Sequence, residues 1–366
     1  HVVTFVAMIL LAWPVALNFF RIDNKVLQAL ILLGYLGSLL FLLFMPLGFY
    51  SPCIMEKGTL GPKPALIGHR GAPMLAPENT EMSFKKAVHH GAVGFETDVT
   101  ISFDGVPFLM HDKTLKRTTN IASVFPGFKD INAALFPWEY LEKLNAGNWF
   151  FEEKPFFQRP AISPEEEELG RNQSIFKLSD FLKLAKQENK LILFDLNRLP
   201  WSHPYNTTWI NRTLEVLQSE LGNKSHLVRD REEVINVAPG FQQTSGKAVS
   251  IEELRKHNIV KLNLNYRDLC HVDIRKYLKS NITVNLWVVN EPWLFSLAWC
   301  SGVQSVTTDS VHTLGKLHQP SFLMTPKEYM TMWIVTDVVA VFFISLIFGF
   351  HSSILSWHQI NLHFLK

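Results

Sequence analysis

The chain has 366 residues, a formal net charge of +2 and an isoelectric point near 8.3. A charge so nearly balanced gives no support to nucleic-acid binding, which depends on a clustered excess of basic residues. Hydrophobic residues make up 47% of the chain and are concentrated at its two ends, so we expect one large domain together with membrane segments.

Two uncharged runs, residues 2–20 and 26–49, lie in the first part of the chain. Each is long enough to cross a bilayer, whose hydrocarbon core takes about 20 residues of helix. A third apolar run is interrupted only by Asp337, and a buried soluble helix of this length would normally have a polar face. We therefore predict two transmembrane helices within 1–50, one at 329–350 and a short tail at 351–366. Because the first residue is histidine rather than methionine, we also expect the chain to be truncated at its N-terminus.

The orientation in the membrane follows from charge. Arg21 and Lys25 lie in the short loop between the first two runs, and the positive-inside rule favours the cytosolic side for this loop. The second span then leads to the extracellular or lumenal side. Five sequons for N-glycosylation occur between the second and third spans, at Asn172, Asn206, Asn211, Asn223 and Asn281. The sequence thus predicts a multi-pass membrane protein with an extracellular or lumenal domain.

Short apolar runs alternate with amphipathic helical stretches between residues 60 and 318. This pattern predicts parallel strands with crossover helices, and about eight such units predict an α/β fold, the (β/α)8 barrel of the TIM type. The turn at Asp104-Gly105 predicts a hairpin, so one of its two arms must lie outside the barrel. Nine strand candidates are present, at 65–69, 92–99, 106–110, 191–196, 226–229, 241–244, 260–264, 283–289 and 304–308.

Residues 113–176 interrupt the alternation and are rich in Phe, Trp and Pro, which predicts an insertion between barrel units. The acidic run at 165–168 lies within this segment. We expect a solvated loop there rather than a metal site, because consecutive side chains do not converge on one point.

Three cysteines are too few for a disulfide-stapled scaffold. Cys270 and Cys300 could form a bridge in an oxidising compartment. Cys300 lies in an apolar stretch, however, and the favoured interpretation is that it is a small buried side chain.

Ionisable side chains are concentrated at the predicted carboxyl ends of the strands, where barrel enzymes carry their catalytic groups. Three carboxylates from two strands would form an oxygen cage for a hard cation such as calcium or magnesium, and the cation would offset their buried charge. Two histidines suit the acid and the base of phosphodiester cleavage, and an arginine suits the phosphate. The side chains concerned are His69, Arg70, Glu96, Asp98, His111 and Asp195.

Four motifs within residues 65–315 resemble those of the glycerophosphodiester phosphodiesterase domain family: HRGAPMLAPENT, ETDV, DGVPFLMHD and NLWVVN. With the flanking spans, the combination is similar to the animal multi-pass membrane branch of that family. The resemblance implies the same barrel and the metal-dependent hydrolysis of a glycerophosphodiester or lysophospholipid at a membrane. It also implies that His69 and His111 are the acid/base pair, that Glu96 and Asp98 are metal ligands and that Arg70 contacts phosphate.

The resemblance assigns two further side chains and contains one departure. Glu78 of PENT would be a metal ligand or the partner of a ligand, and Trp287 would line the substrate pocket. Soluble bacterial members usually have Glu-x-Lys where this chain has Asp-x-Asn, with Asp195 and Asn197 at the first and third positions. The shorter carboxylate of Asp195 can still bind metal, but the phosphate-contacting lysine is absent, and Arg198 is a candidate substitute.

Other interpretations are open for these residues and for the chain. Glu96 and Asp98 could be salt-bridged barrel acids, Arg70 could pair with Asp112, and Trp287 could be core. The rival function is a catalytically weak, membrane-bound binding or signalling module that uses the same barrel. A transporter is a poorer alternative, because Asp337 is the one ionisable residue within the predicted spans.

Overall fold

The computed structural model describes residues 2–48, 51–157, 160–221, 227–229 and 242–364. The chain divides into two compact units. The first unit combines His1–Thr59 with Leu323–Lys366, and the second unit is Leu60–Phe322. Each unit has its own buried apolar side chains, and each is described separately below.

Three helices of the first unit are long and apolar enough to cross a membrane, namely Val2–Arg21, Lys25–Gly48 and Pro326–Ile354. They lie where the hydropathy of the sequence predicts spans. The third is part of a longer helix, Pro326–Phe364, so the predicted tail continues the helix. These segments form helices because 20 or more mainly apolar residues can satisfy their backbone polar groups only within the helix once water is excluded.

The three helices of the first unit pack through a small apolar cluster built on Ala12, Tyr35 and Ile344. The Tyr35 hydroxyl donates a hydrogen bond of 2.7 Å to the Met8 carbonyl, which links the first two helices. Asp337 is buried within this unit, and the sequence does not explain its presence there.

Nine strands form one sheet in the second unit. Their order is β1-β9-β8-β7-β6-β5-β4-β2-β3, and β1 also pairs with β2, so eight strands close into a ring. All neighbours in the ring are parallel, which confirms the predicted barrel. The strands are β1 (Ala65–His69), β2 (Gly94–Ile101), β3 (Pro107–Leu109), β4 (Leu191–Leu196), β5 (Leu227–Arg229), β6 (Gln242–Ser245), β7 (Lys261–Asn265), β8 (Thr283–Trp287) and β9 (Ser305–Thr308).

The strand outside the ring is β3, the second arm of the predicted hairpin. It pairs antiparallel with β2, with Val99 opposite Leu109. Gly105 in the connecting turn has a φ of 89°, a conformation that glycine adopts at no steric cost. β2 already pairs with β1 and β4 in the ring, so β3 pairs only with the last residues of β2, Val99–Ile101. From there the chain leaves the barrel and enters the insertion.

Helices connect successive strands of the barrel. Glu81–His89 begins at Thr80, whose side chain accepts from the Ser83 N–H, and Ile251–Lys256 begins at Ser250 in the same way. Phe84 of the first helix packs edge-on against Phe95 of β2, with ring centroids 5.2 Å apart. The remaining helices of this layer are Leu178–Gln187, Trp209–Leu221, Ile274–Lys279, Pro292–Cys300 and Val311–Leu314, with a 3₁₀ helix at Tyr266–Cys270. A further 3₁₀ helix, Lys57–Thr59, belongs to the first unit.

The segment 113–176 has a hydrophobic cluster of its own, which includes Leu115, Ile121 and Leu141. The expectation that the acidic run is a loop is wrong, because it lies in the helix Pro164–Arg171. Ser163 caps this helix, and its acidic residues occupy the first turn, where the helix dipole favours negative charge. The other helices of the segment are Ile121–Val124, Trp138–Leu141 and Asn148–Glu153, with 3₁₀ helices at Pro126–Phe128 and Ala133–Leu135.

One suggestion for the cysteines in the second unit is wrong, and the favoured interpretation of Cys300 is correct only as to burial. Cys270 is a free, exposed cysteine, whereas Cys300 is disulfide-bonded. The possible Cys270–Cys300 bridge is therefore absent. Cys300 is buried, as the favoured interpretation holds, but it is bonded in a disulfide rather than present as a thiol. Local hydropathy identified the burial of Cys300, but it carries no information on pairing between distant residues.

Candidate active site

The carboxyl ends of the barrel strands surround a cavity of about 200 Å³. Leu193, Phe194, Asn263 and Thr307 form part of its wall. Of the eight side chains that the sequence singles out, seven line the same cavity: His69, Arg70, Glu96, Asp98, His111, Asp195 and Trp287. Glu78 is the eighth, and its carboxylate bonds to Arg70.

The register of the parallel strands explains why these side chains meet. His69 at the end of β1 is paired with Glu96 of β2, and Asp98 of β2 is paired with Asp195 of β4. Paired residues of neighbouring strands point to the same face, as do residues two apart on one strand. Phe95 and Val99 point the other way and belong to the hydrophobic core between the barrel and its helices.

His69 is held by an aspartate that the sequence reasoning missed. Its Nδ1 lies 2.6 Å from Oδ1 of Asp309, the residue that follows β9. The Asn290 amide donates to Asp309 Oδ2 at 2.7 Å, and Asn290 Oδ1 accepts from the Asp309 N–H at 2.8 Å. An ionised carboxylate only accepts hydrogen bonds, so Nδ1 of His69 carries a proton. The other ring nitrogen, Nε2, lies 3.8 Å from Glu96 Oε2.

These contacts determine the charge of the pair. Burial lowers the pKa of His69, but the attraction of Glu96 and the hydrogen bond with Asp309 outweigh burial and raise that pKa above its ordinary value. Burial alone would raise the pKa of Asp309, but the hydrogen bonds from His69 and Asn290 bring it below its ordinary value. The pair is therefore stabilised as imidazolium and carboxylate.

Arg70 lies in a tight turn at the end of β1. Its φ is 51° and that of Gly71 is 92°, and its N–H donates to the Glu96 carbonyl at 2.9 Å. The guanidinium Nη1 donates to Glu78 Oε1 at 2.9 Å. The Nε atom lies 3.3 Å from Asp98 Oδ2, an ion-pair distance without hydrogen-bond geometry. The turn thus directs the guanidinium along the wall of the cavity.

The nearby cationic side chains do not fully compensate the buried negative charge of Glu96 and Asp98, the two carboxylates of β2. Burial, followed by the charge of Asp98, raises the pKa of Glu96 to about 7. Burial likewise raises the pKa of Asp98, although Arg70 partly opposes it. With Asp195 on the same wall, this donor set suits a hard divalent cation by its chemistry. Within the described ranges, however, no group of three or more His, Cys, Asp or Glu side chains is arranged to hold a metal ion.

His111 lies on the open side of the cavity, where 45% of its side chain is exposed. Its Nδ1 lies 2.7 Å from Asp112 Oδ1. The suggested pair between Arg70 and Asp112 is replaced by another arrangement, in which Asp112 bonds to Arg117 and Arg70 bonds to Glu78. The same Arg117 also bonds to Glu78.

Two further contacts shape the wall of the site. Trp287 Nε1 donates to the Asn263 carbonyl at 3.0 Å, which fixes the indole beside the cavity. Asn197, where the resemblance leads us to expect lysine, donates from its amide to the Met110 carbonyl at 2.8 Å. It therefore holds the backbone that immediately precedes His111.

Asp309 and Arg117 are the functional candidates that sequence reasoning missed. A signal was available for Asp309, because it directly follows a predicted strand and so lies at a strand end, where His69 also lies. None was available for Arg117, which lies in the irregular segment after β3 and is recognisable only by its contacts.

The sequence resembles known proteins over most of its length. Residues 69–313 match the Glycerophosphoryl diester phosphodiesterase family. The chain is 46% identical over 357 residues to "Glycerophosphodiester phosphodiesterase domain-containing protein 5" of Gallus gallus, an alignment that covers 96% of this chain and 59% of the relative. It is 44% identical over 353 residues to "Glycerophosphoinositol inositolphosphodiesterase GDPD2" of Mus musculus, covering 95% of this chain and 65% of the relative. The chain thus spans roughly three fifths of the length of these relatives.

Solved structures of bacterial proteins share the fold. A phosphodiesterase of Oleispira antarctica, solved in complex with the product sn-glycerol-3-phosphate, has a TM-score of 0.56 at 20% identity and covers 69% of this chain and 95% of its own. A protein of Silicibacter pomeroyi has a TM-score of 0.54 at 17% identity, covering 77% and 98%. The family match and the animal relatives, on this common barrel, show that the chain belongs to the glycerophosphoryl diester phosphodiesterase family.

Proposed function

We propose that this chain hydrolyses a glycerophosphodiester in a reaction that depends on a divalent metal. The observation that carries the proposal is the matched pair of histidines, each of which bonds through Nδ1 to an aspartate and lines the same carboxylate-rich cavity. With Nδ1 engaged, Nε2 of each ring is left to exchange a proton with a reacting oxygen.

His69 and His111 are assigned the two proton transfers. One ring removes a proton from the attacking oxygen, and the other donates a proton to the oxygen that leaves phosphorus. The attacking oxygen belongs to water or to the neighbouring glycerol hydroxyl, and the second route gives a cyclic phosphate first. Asp309 and Asp112 hold the two rings in place, and Asp309 also stabilises the imidazolium form of His69.

Arg70 is assigned to the phosphate. Its guanidinium lines the cavity and is fixed on one side by Glu78. A planar cation held in this way can donate two hydrogen bonds to phosphate oxygens. Trp287 is assigned to the wall of the substrate pocket, where its indole is anchored through Asn263.

Glu96, Asp98 and Asp195 are assigned as the ligands of a divalent cation, calcium or magnesium. When bound, such an ion neutralises buried carboxylate charge and polarises phosphate oxygens. Glu78 is assigned as the partner of the arginines rather than as a ligand, because both of its oxygens accept hydrogen bonds from guanidinium groups. The raised pKa of Glu96 supports the metal assignment, since the positive charge of a nearby cation would offset the burial and the carboxylate repulsion that raise it.

The substrate class is proposed from chemistry that relatives share. The mouse relative is named for a glycerophosphoinositol, and the Oleispira antarctica phosphodiesterase was solved with glycerol phosphate as its product. A glycerophosphodiester, or a lysophospholipid with the same glycerol phosphate group, is therefore the proposed substrate of this chain. The three helices of span length favour a substrate that lies at or near a membrane.

We further propose that the barrel lies on the extracellular or lumenal side. The charges of Arg21 and Lys25 and the clustered sequons support this orientation. Asn172, Asn211 and Asn281 are exposed and Asn206 is half-exposed. Asn223 lies outside the described residues.

The proposal can be tested by phosphorus NMR on the full chain in detergent. Glycerophosphocholine, glycerophosphoinositol and a lysophospholipid would each be incubated with calcium, magnesium or a chelator, beside a His111→Ala control. We expect a metal-dependent product that disappears in the control, and its phosphorus signal identifies the ester bond that breaks. If the folded wild-type chain turns over none of these substrates, or if the control is as active, the proposal is wrong.

A binding or signalling module with the same barrel is the second candidate. The contact that favours it is that of Asn197, which replaces the usual lysine and bonds to the backbone instead of presenting a cation to the cavity. Under this alternative, substrates bind with metal but are not cleaved. Binding measured by calorimetry in the absence of any product would support it.

A further inference from the structure

Arg117 has an unusually complete set of contacts for a half-exposed side chain. Its Nε donates to Asp112 Oδ2 at 2.7 Å and its Nη2 to Asp112 Oδ1 at 2.9 Å. Toward the other side, its Nη1 donates to Glu78 Oε2 at 2.8 Å and its Nη2 to Glu78 Oε1 at 2.7 Å. The guanidinium thus forms two bidentate pairs at once, the geometry in which arginine binds carboxylates most strongly.

Each of these two carboxylates reaches a side chain of the cavity. Asp112 Oδ1 bonds to Nδ1 of His111 at 2.7 Å, and Glu78 Oε1 accepts from Nη1 of Arg70 at 2.9 Å. Arg117 itself is not among the residues that line the cavity. It therefore connects the second histidine and the phosphate-side arginine without touching the place where substrate would lie.

We propose that Arg117 is a positioning residue that orients His111 through Asp112 and Arg70 through Glu78. The expected effect of Arg117 on kcat rests on the proposed function. Its effect on the orientation of His111 can be tested without that function. With Arg117, the site gains a residue of the segment after β3, which also carries His111.

The two histidines show why such a residue is needed. His69 is mostly buried, with 17% of its side chain exposed, and its aspartate is fixed by two hydrogen bonds with Asn290. His111 is 45% exposed, and Asp112 is its neighbour in the chain. An exposed imidazole can rotate unless its partner is held, and Arg117 gives Asp112 the support that Asn290 gives Asp309.

The chemistry of the contact specifies arginine. Lysine carries a single compact ammonium group and cannot form two bidentate pairs. The Arg117 guanidinium also lies over the ring of Trp149, 5.6 Å from its centroid. Trp149 is buried and donates from Nε1 to the Ala146 carbonyl at 3.0 Å. The ring thus provides a fixed surface against which the plane of the guanidinium is set.

Arg171 offers a matched control. It ends the helix Pro164–Arg171 of the same segment, 113–176, and is similarly exposed. It also combines a two-nitrogen contact with a glutamate, Glu167, with an aromatic contact to Phe151. Its bonds do not extend to a residue of the cavity, since its remaining side-chain partner is Asn148. Loss of either arginine removes comparable surface interactions, and only loss of Arg117 should affect His111.

The kinetic test compares Arg117→Ala, Arg117→Lys and Arg171→Ala in the full chain. We expect Arg117→Ala to lower kcat by roughly 10- to 100-fold, as is typical for residues that orient a catalytic group, with a smaller change in KM. Arg117→Lys should recover only part of this lost kcat. If Arg117→Ala does not fold, the kcat of Arg117→Lys tests the role of Arg117 in its place. Because Arg117 acts on His111 through Asp112, the losses of kcat in Asp112→Asn and Arg117→Ala should be less than additive in the double variant. Only the part of the Arg117 effect that passes through Glu78 to Arg70 should remain in the Asp112→Asn background.

The geometric test uses NMR of full chain carrying isotope-labelled histidine, in which His111→Ala identifies the signals of His111. We expect the wild-type ring to be the Nδ1–H tautomer, Arg117→Ala to populate both tautomers, and Arg171→Ala to match wild type. An unchanged tautomer in Arg117→Ala, or an additive double variant, would overturn the inference. If His111→Ala keeps full activity, the proposed function fails, and the NMR result alone decides the role of Arg117.

Discussion

The two histidines of the site are alike in their contacts and different in their surroundings. Each pairs Nδ1 with an aspartate, but His69 is buried between charged groups and His111 faces solvent. Burial and a neighbouring carboxylate act on the pKa of His69 in opposite directions, and the carboxylates prevail. Asp309 therefore matters for both the tautomer and the charge of His69.

We predict that Asp309→Asn lowers kcat by about 10²-fold or more, in the range that general acid–base groups contribute. An amide can donate to Nδ1, which would allow the wrong tautomer of His69. The measurement is kcat on the substrate that the phosphorus NMR panel identifies. Asp180→Asn, which removes an exposed partner of Lys183, is the control and should leave kcat unchanged.

The same pair predicts a pH-dependent stability. The pKa of Asp309 is lowered by folding, so its stabilisation is present above its unfolded value of about 3.9 and is lost as pH falls through the folded pKa. The pKa of His69 is raised, so its stabilisation is complete below its unfolded value of about 6.5 and is lost as pH rises through the folded pKa.

We therefore expect Asp309→Asn to lower the thermal midpoint most between about pH 4 and 6.5, and less at more acidic or more alkaline pH. Intrinsic tryptophan fluorescence during heating would report the midpoint. Equal losses at every pH would show that the pair contributes by packing alone.

At the scale of elements, the turn after β1 positions much of the site. Arg70 and Gly71 both have positive φ values, which reverse the chain so that the guanidinium returns toward the cavity. Gly71 also lies against the start of the helix Glu81–His89. A Cβ at Gly71 would come within 2.5 Å of Ser83 Oγ and 2.6 Å of the Ser83 carbonyl carbon.

We predict that Gly71→Ala destabilises the chain by about 2 kcal/mol or more, because a strained φ and an overpacked contact add together. The contact is with backbone as well as side chain, so it cannot be relieved by a rotamer change. The change in thermal midpoint measures the effect. Gly127→Ala is the matched control, since nothing lies within 4 Å of its added Cβ, and a comparable loss there would contradict the explanation.

At the scale of the whole molecule, one chain combines three helices of span length with a closed barrel. Closure pairs every strand of the ring on both sides, so the ring has no exposed edge. The helices and the barrel have separate apolar clusters. The barrel unit thus has the architecture of a domain that folds around its own core.

The proposed topology predicts N-linked glycans on the barrel unit. Protein made in animal cells should migrate faster on a gel after glycosidase treatment, because sequons on the lumenal side are accessible to glycosylation. Replacing the exposed Asn172, Asn211 and Asn281 by Gln should reduce the shift. Absence of any shift, with the barrel protected from protease added to intact cells, would place it in the cytosol.

The sequence by itself determined the elements. Hydropathy located the three helices of span length, and the alternation of short apolar runs located β1 and β4 with their observed bounds. Both signals are local, since a helix or strand buries one face according to a repeat of a few residues. The motifs also identified seven side chains that line the cavity. Six of them lie at the ends of parallel barrel strands, which all end on the same face, and the seventh, His111, follows the hairpin arm β3.

Only the tertiary structure decided which groups are partners. It showed that β3 is the hairpin arm outside the ring, that the acidic run is helical and that Cys300 is not a free thiol. It also showed that Asp309 holds His69 across 240 positions of sequence and that Arg117 joins Asp112 to Glu78. Such pairings depend on how the ring closes and how the irregular segment packs, and no local repeat in the sequence encodes either of these.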